Sequence, residues 1–188
     1  MSIDAVLLDR DGVINHDSTN YIKSPDEWKP VSGSLDAIAL MHQSGKKIGV
    51  ATNQRGLALG LYSEQTLTAI HQKMHAAIAR VGGKIDALAF CPHDTSDRCN
   101  CRKPRPGMLL QLMRQLNAEP EHTIMVGDKL SDIEAAQAAR ITPVLVLSGK
   151  GQDTVYNHQR KLGATQIFAD LAAVTLALRA GTLKRATE

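Results

Sequence analysis

The chain has 188 residues and a formal charge of +3; 43% of it is apolar, but only 3% is aromatic. That suits one domain with an aliphatic core. So few rings exclude base-stacking platforms, and the scattered basic residues argue against a nucleic-acid surface. No stretch resembles a signal peptide or could span a bilayer, so the expectation is a cytoplasmic monomer without membrane or nucleic-acid partners.

The first element is an apolar run, Ala5-Val6-Leu7-Leu8, which suits a buried parallel strand and ends in Asp9-Arg10-Asp11-Gly12. Polar, proline-containing sequence from 16 to 30 predicts a loop over that strand end. Leu35, Ile38 and Met41 predict a helix stopped at Gly45. A second strand, 47 to 52, ends in Thr52-Asn53-Gln54-Arg55. Ser63 caps a long helix with Leu67, Ile70, Met74 and Ile78 on one face, which leaves His71 and His75 facing solvent. A third strand, 85 to 90, leads into a cysteine window and then Arg102-Lys103-Pro104. A helix carrying Leu109, Leu112 and Leu116 follows, then a fourth strand, 123 to 126, ending in Gly127-Asp128-Lys129. Ser131 and Glu134 have capping-box spacing for the next helix. A fifth strand covers 144 to 147 and a short last one Ile167-Phe168, with Asp170 capping a C-terminal helix. The segment 149 to 163 stays unassigned, because its lone pair Gly149-x-Gly151 is too weak to define a dinucleotide loop. One domain, 1 to 180, with a tail from 181 to 188, is expected.

Strands alternating with helices predict an α/β fold, a doubly wound, mostly parallel, Rossmann-like sheet. In such sheets ligands bind outside the carboxyl ends of the strands. That convergence carries chemistry. Asp9 can attack phosphorus and Asp11 can shuttle a proton. Asp128 can complete a Mg²⁺ site with Asp9 and a backbone carbonyl near Asp11, because Mg²⁺ takes oxygen ligands and works with few carboxylates. Thr52 and Asn53 offer donors and Lys103 a full positive charge for a phosphoryl group. Each piece alone has a plain structural explanation, such as a strand-end cap, a surface lysine or a turn; their joint order and placement does not.

Three cysteines in one short window suggest metal rather than disulfides. Cys91-x-His93 and Cys99-x-Cys101 supply three thiolates and one imidazole, a closed structural Zn²⁺ set. Such a zinc-binding loop would aim Arg102 and Lys103 into the crevice.

These stretches resemble the haloacid dehalogenase (HAD) superfamily of aspartyl-phosphate hydrolases: Asp9-Arg10-Asp11-Gly12, Thr52-Asn53, Lys103 and Gly127-Asp128, with Asp132 beyond. Cys91-Pro92-His93, the run from Cys99 to Pro104 and Val126-Gly127-Asp128-Lys129 are similar to the branch of heptose 1,7-bisphosphate 7-phosphatases and histidinol-phosphate phosphatases. The resemblance implies Asp9 as nucleophile and Asp11 as acid/base, with Asp128 on Mg²⁺ and Asp9 and Asp11 sharing the ion. It also implies Thr52 and Lys103 on the phosphoryl group, and Arg102 and Lys129 on substrate. Asp17, Asn53, Gln54 and Arg55 join the substrate-binding set, together with Ser18 and Tyr21 of the covering loop. The branch usually has Ser at the position of Arg55 and Arg at that of Leu59, so a basic group has moved. Neither gap between motifs has room for an inserted cap domain. The implied activity is removal of the 7-phosphate of a heptose bisphosphate in lipopolysaccharide-precursor synthesis. Histidinol phosphate is the alternative substrate, and a phosphoacceptor signalling domain or a zinc-stabilised nucleic-acid binder are the non-enzymatic alternatives. Asp11 argues against the phosphoacceptor, whose phosphoaspartate persists.

Overall fold

The structure, a computed structural model, describes residues 3–184. Strands β1 (Ala5–Leu8), β2 (Lys47–Asn53), β3 (Ala87–Cys91), β4 (Thr123–Gly127), β5 (Thr142–Val146) and β6 (Gln166–Phe168) form one sheet in the order β3-β2-β1-β4-β5-β6. Every neighbouring pair runs parallel. Buried on both faces, the central strands carry apolar side chains at successive positions, as a doubly wound sheet requires. The strand order reverses at β1, with β2 on one side and β4 on the other. The crevice above this reversal is where an open α/β sheet binds its ligand.

Alternate residues of each strand serve opposite cores. Val6, Leu8, Val50 and Val126 pack with Ile38, Met41, Ile70 and Met74, from helices α1 (Ser34–Gln43) and α2 (Glu64–Arg80). Helix α6 (Leu171–Ala180) adds Val174 to the same face. Leu7, Ala51, Ala89 and Met125 point the other way, onto Leu109, Leu112 and Leu116 of α3 (Gly107–Leu116) and Ala135 and Ala136 of α4 (Leu130–Ala138). Gly49 is required here: a side chain on it would meet Leu7, Leu116 and Leu112.

Several expectations need correction. The unassigned segment folds as helix α5 (Gly151–Leu162). It is mostly polar, with Leu162 packed on Leu145 and Ile133, so its apolar period is sparse. The capping box at Ser131 and Glu134 does not form. Helix α4 begins two residues earlier, with Lys129 at its N-cap, and the Asp132 carboxylate accepts the Lys129 N–H at 3.0 Å. Ser63 and Asp170 do cap their helices, accepting from the N–H groups of Thr66 and Ala173. The tail expected from 181 is described only to 184, where Lys184 exchanges two hydrogen bonds with the Gln166 side chain; 185–188 lie outside the described residues. Between β1 and β2, and between β2 and β3, the described residues form one α-helix each plus loops, with no inserted domain. Among the described residues no helix is long and apolar enough to cross a membrane.

The loop after β1 is stapled by the chain's single tryptophan. Trp28 is 2% exposed, and its indole N–H donates to Asn15 Oδ1 at 3.0 Å. Trp28→Phe should cost about 1–3 kcal/mol, because a buried amide oxygen loses its donor. A urea titration of both proteins reads this as a lowered midpoint; an unchanged midpoint would contradict it.

Candidate active site

The site is built from strand ends. Asp9 follows β1, and its own N–H continues the ladder by donating to Val126 O at 2.9 Å. Asp128 follows β4, and Asp132 lies one turn into α4. Oxygens of these three carboxylates lie within 4.8 Å of one another, all buried. The Lys103 ammonium is inserted among them, 2.9 Å from Asp9 Oδ1 and 2.7 Å from Asp132 Oδ1, while donating to Ala51 O at 2.7 Å.

Charge in this cluster is poorly balanced by protein groups alone. Burial pushes the Asp9 carboxyl up to about 6, against the pull of Lys103 and with the help of Asp132. Burial also pushes Asp128 up to about 8; Lys129 opposes the shift, and Asp9 and Asp132 add to it. Asp128 Oδ2 accepts the Lys150 N–H at 2.7 Å. Asp128 Oδ1 is buried with no hydrogen-bond partner among the described residues, and Lys129 Nζ stands 3.9 Å away. A buried carboxylate oxygen so exposed to its own charge calls for a cation. Three clustered carboxylates with small backbone approaches fit a divalent ion that binds oxygen. Glycines make the space: a Cβ on Gly12 or Gly149 would collide with Asp128 Oδ2, and one on Gly127 would collide with Asp132. Gly149, half of the weak glycine pair in the sequence, thus belongs to this site.

The Asp11 carboxylate does not enter the cluster; the metal contact expected here is a backbone carbonyl near Asp11, which does not need the side chain. Its Oδ1 takes hydrogen bonds from Arg10 Nη2 at 2.9 Å and Nε at 3.1 Å, and from Asn15 Nδ2 at 2.9 Å. Its Oδ2 takes Arg10 Nη2 at 3.0 Å and Gln54 Nε2 at 3.0 Å. Burial opposes its charge, but Arg10 and Asn15 outweigh that and hold the carboxyl below its ordinary value.

The remaining expected residues divide into two groups. Thr52 Oγ1 is buried and accepts from Gln54 Nε2 at 2.7 Å. Asn53 spends both ends of its amide on the Lys103 backbone, at 3.1 Å each. Gln54 is likewise committed, its Oε1 accepting from Tyr62 Oη at 2.6 Å and from Arg10. Thr52 is held behind the wall. Asn53 and Gln54, in contrast, line an open cavity of about 650 Å³ with Asp17, Arg55, Arg102 and Lys129, together with Arg10, Asp11, Ser18, Tyr21 and Lys103. Lys129 Nζ bridges to Asp17 Oδ2 at 3.1 Å, Arg55 pairs with Asp94 at 2.5 Å, and Arg102 donates to His93 O at 3.3 Å. Arg98 and Arg105 extend this basic wall.

The cysteine window closes on itself. Cys91, His93, Cys99 and Cys101 present four ligand atoms, with contacts between 3.3 and 3.6 Å. The edge of a tetrahedron built on Zn–S bonds is about 3.8 Å. No disulfide forms; all three thiols are free. Gln54's partner Tyr62, the paired Arg10 and the buried His71 are site residues that pattern alone does not announce. The expectation of a solvent-facing His71 is corrected: it is 8% exposed and points at Arg10, because α2 turns that flank toward the β1 loop.

Comparison with known proteins follows the same lines. Residues 100–174 match a family model described as HAD-hydrolase-like. The chain is 46% identical over 167 residues to the D-glycero-beta-D-manno-heptose-1,7-bisphosphate 7-phosphatase of Neisseria meningitidis serogroup A, covering 88% of this chain and 89% of that protein. It is 45% identical over 178 residues to the enzyme of that name from Pseudomonas aeruginosa, covering 95% and 99%. A crystal structure of D,D-heptose 1,7-bisphosphate phosphatase from B. bronchiseptica, complexed with magnesium and phosphate, superposes with a TM-score of 0.90 at 44% identity, covering 95% of this chain and 99% of that one.

The glycine cradle makes a direct prediction. In Gly149→Ala the new methyl must displace the Asp128 carboxylate, so Mg²⁺ affinity measured by calorimetry should fall by about 10- to 100-fold. Unchanged affinity would mean that Asp128 is not where the ion is held.

Proposed function

The chain belongs to the family of D-glycero-beta-D-manno-heptose-1,7-bisphosphate 7-phosphatases, and on that premise we propose that it hydrolyses the 7-phosphate of this sugar bisphosphate through a phosphoaspartate at Asp9. It is a phosphoric monoester hydrolase. The observation that carries the finer reading is the cavity itself. Lys103, which contacts the buried Asp9 and Asp132, lines it beside Asp11, and the wall carries Arg55, Arg98, Arg102 and Arg105, enough cationic surface for a second phosphate on the same molecule.

The steps follow from the side chains. With the substrate's 7-phosphate against Lys103, a carboxylate oxygen of Asp9 attacks phosphorus and the bond to the sugar oxygen breaks. Asp11 gives its proton to that leaving oxygen. A dianionic phosphate nearby disfavours the charge on Asp11 and so draws the proton on to it, against the pull of Arg10. In the second step Asp11 takes a proton from water, whose oxygen attacks the phosphorus of the phosphoaspartate, releasing phosphate and Asp9. Asp9, Asp128 and Asp132 are the residues available to hold Mg²⁺, directly or through water. When bound, that ion supplies positive charge to the phosphoryl oxygens and offsets the repulsion among the carboxylates. Lys103 keeps Asp9 ionised as a nucleophile and fixes it with the Arg10 N–H, which donates to Asp9 Oδ1 at 2.8 Å. Zn²⁺ in the cysteine window is supported by four donors with no open coordination position, so its role is structural: it orders the loop that delivers Arg102 and Lys103. A soluble monomer in the cytoplasm is the setting we assign to it.

A substrate panel tests the reading. With Mg²⁺ present, kcat/KM should be at least about 100-fold higher for the heptose 1,7-bisphosphate than for histidinol phosphate or fructose bisphosphate, about 3 kcal/mol of discrimination. Comparable values on all would make this a generalist. For the window, Cys99→Ser should lose zinc by metal analysis and raise KM about tenfold. Loss of zinc with unaltered KM and melting temperature would remove its proposed role.

A further inference from the structure

Arg10 stands between the two acids in sequence but serves only one of them in space. Its guanidinium is buried at 1% exposure. Nε and Nη2 face the Asp11 carboxylate in a fork, and Nη2 also reaches Gln54 Oε1 at 3.3 Å. Nη1 points the other way and meets His71 Nε2 at 3.2 Å. His71 comes from α2, 61 residues further along the chain, and its ring lies 6.1 Å from that of Phe90. Geometry fixes its chemistry. An arginine nitrogen can only donate, so Nε2 must accept, and the ring proton must sit on Nδ1. Burial, the Arg10 charge and His75 together press the imidazole down to about 3, which keeps it neutral.

We propose that His71 is a positioning residue for the reaction: by accepting from Arg10 Nη1 it pins the guanidinium whose opposite edge clamps Asp11. This rests on Asp11 acting as the acid/base. A buried N–H with no acceptor is costly, so without His71 the head group turns to find another partner. The fork turns with it, and Asp11 loses the fixed line to the leaving oxygen. An error of about 1 Å in such a group costs on the order of 100-fold. Gln54 closes the network from the far side. Its Oε1 accepts from Tyr62 and Arg10 while its Nε2 donates to Thr52 and Asp11, so every member has one permitted orientation. Helix α2 thereby reaches the proton-transfer step without touching substrate.

The test uses leaving groups. A nitrophenolate leaves without protonation, whereas a sugar alkoxide does not. His71→Phe keeps the volume and loses the acceptor; His71→Gln keeps an acceptor within reach. For the Mg²⁺-loaded enzyme, His71→Phe should lower kcat/KM on the heptose bisphosphate at least about tenfold more than kcat/KM on p-nitrophenyl phosphate, because kcat/KM reads the transfer to Asp9 and not the hydrolytic step that both esters share, and His71→Gln should recover most of the difference. Equal losses on both esters, or no recovery with Gln, overturn the proposal. Asp11→Asn serves as the control. If it too loses equally on both esters, the acid role of Asp11 has failed rather than the His71 inference. Should His71→Phe not fold, ¹⁵N NMR of the histidine rings in the parent protein decides instead: a bare Nε2 and protonated Nδ1 at about pH 7 support the proposal, and a protonated Nε2 overturns it.

Discussion

The structure turns on one ammonium group. Lys103 Nζ is lodged between Asp9 and Asp132, away from water, and its third proton is taken by the backbone at Ala51. Burial works against its charge, but Asp132 and Asp9 more than restore it. Remove that cation and three buried carboxylates face one another with only Lys129, 3.9 Å from Asp128, to offset them, an arrangement that a low-dielectric crevice does not tolerate. Even with it, negative charge is in excess. Burial, with that excess adding to it, holds Asp9 and Asp128 above their ordinary values, and the excess is the reason the site suits a divalent ion and a phosphoryl group in turn.

Everything around Lys103 exists to hold it there. Asn53 at the end of β2 grips its backbone by both amide ends, so the strand's last side chain sets the lysine's register. The cysteine window ends two residues before it. The lysine therefore arrives from a loop anchored at both sides, although the loop is too polar to pack on its own. Of the carboxylates around it, Asp9 follows β1, where the strand order reverses, Asp128 follows β4, and Asp132 lies in the first turn of α4. Glycines at 12, 127 and 149 leave the space that those carboxylates occupy.

Much of this is legible in the sequence because it is local. Short apolar runs ending in Asp9, Thr52 and Asp128 announce buried strands with chemistry at their tips, and the spacing of Cys91, His93, Cys99 and Cys101 announces a closed four-donor set. What is not legible depends on tertiary contact. His71 shares a helix with a clear apolar stripe, so period alone sends it to solvent; only the β1 loop, folded against α2, turns it inward. Asn53 looks like a substrate donor because amides at strand ends often are; it lines the cavity, but nothing in its neighbours reveals that it also grips the Lys103 backbone. Asp132 reads as a first-turn acid of α4, which it is, and also neutralises a lysine 29 positions earlier. Helix α5 is hidden by its polarity, since only a few of its residues touch the core.

The claim on which the account stands is that Asp9 itself carries the phosphoryl group. Rapid acid quench of the Mg²⁺-loaded enzyme during turnover, followed by borohydride reduction and peptide mass spectrometry, tests it directly, because an acyl phosphate is reduced to the alcohol. Homoserine at position 9, absent when substrate is omitted, is the predicted result. An unaltered aspartate at 9 with the reduced residue elsewhere, or no acyl phosphate while phosphate is being released, would contradict it.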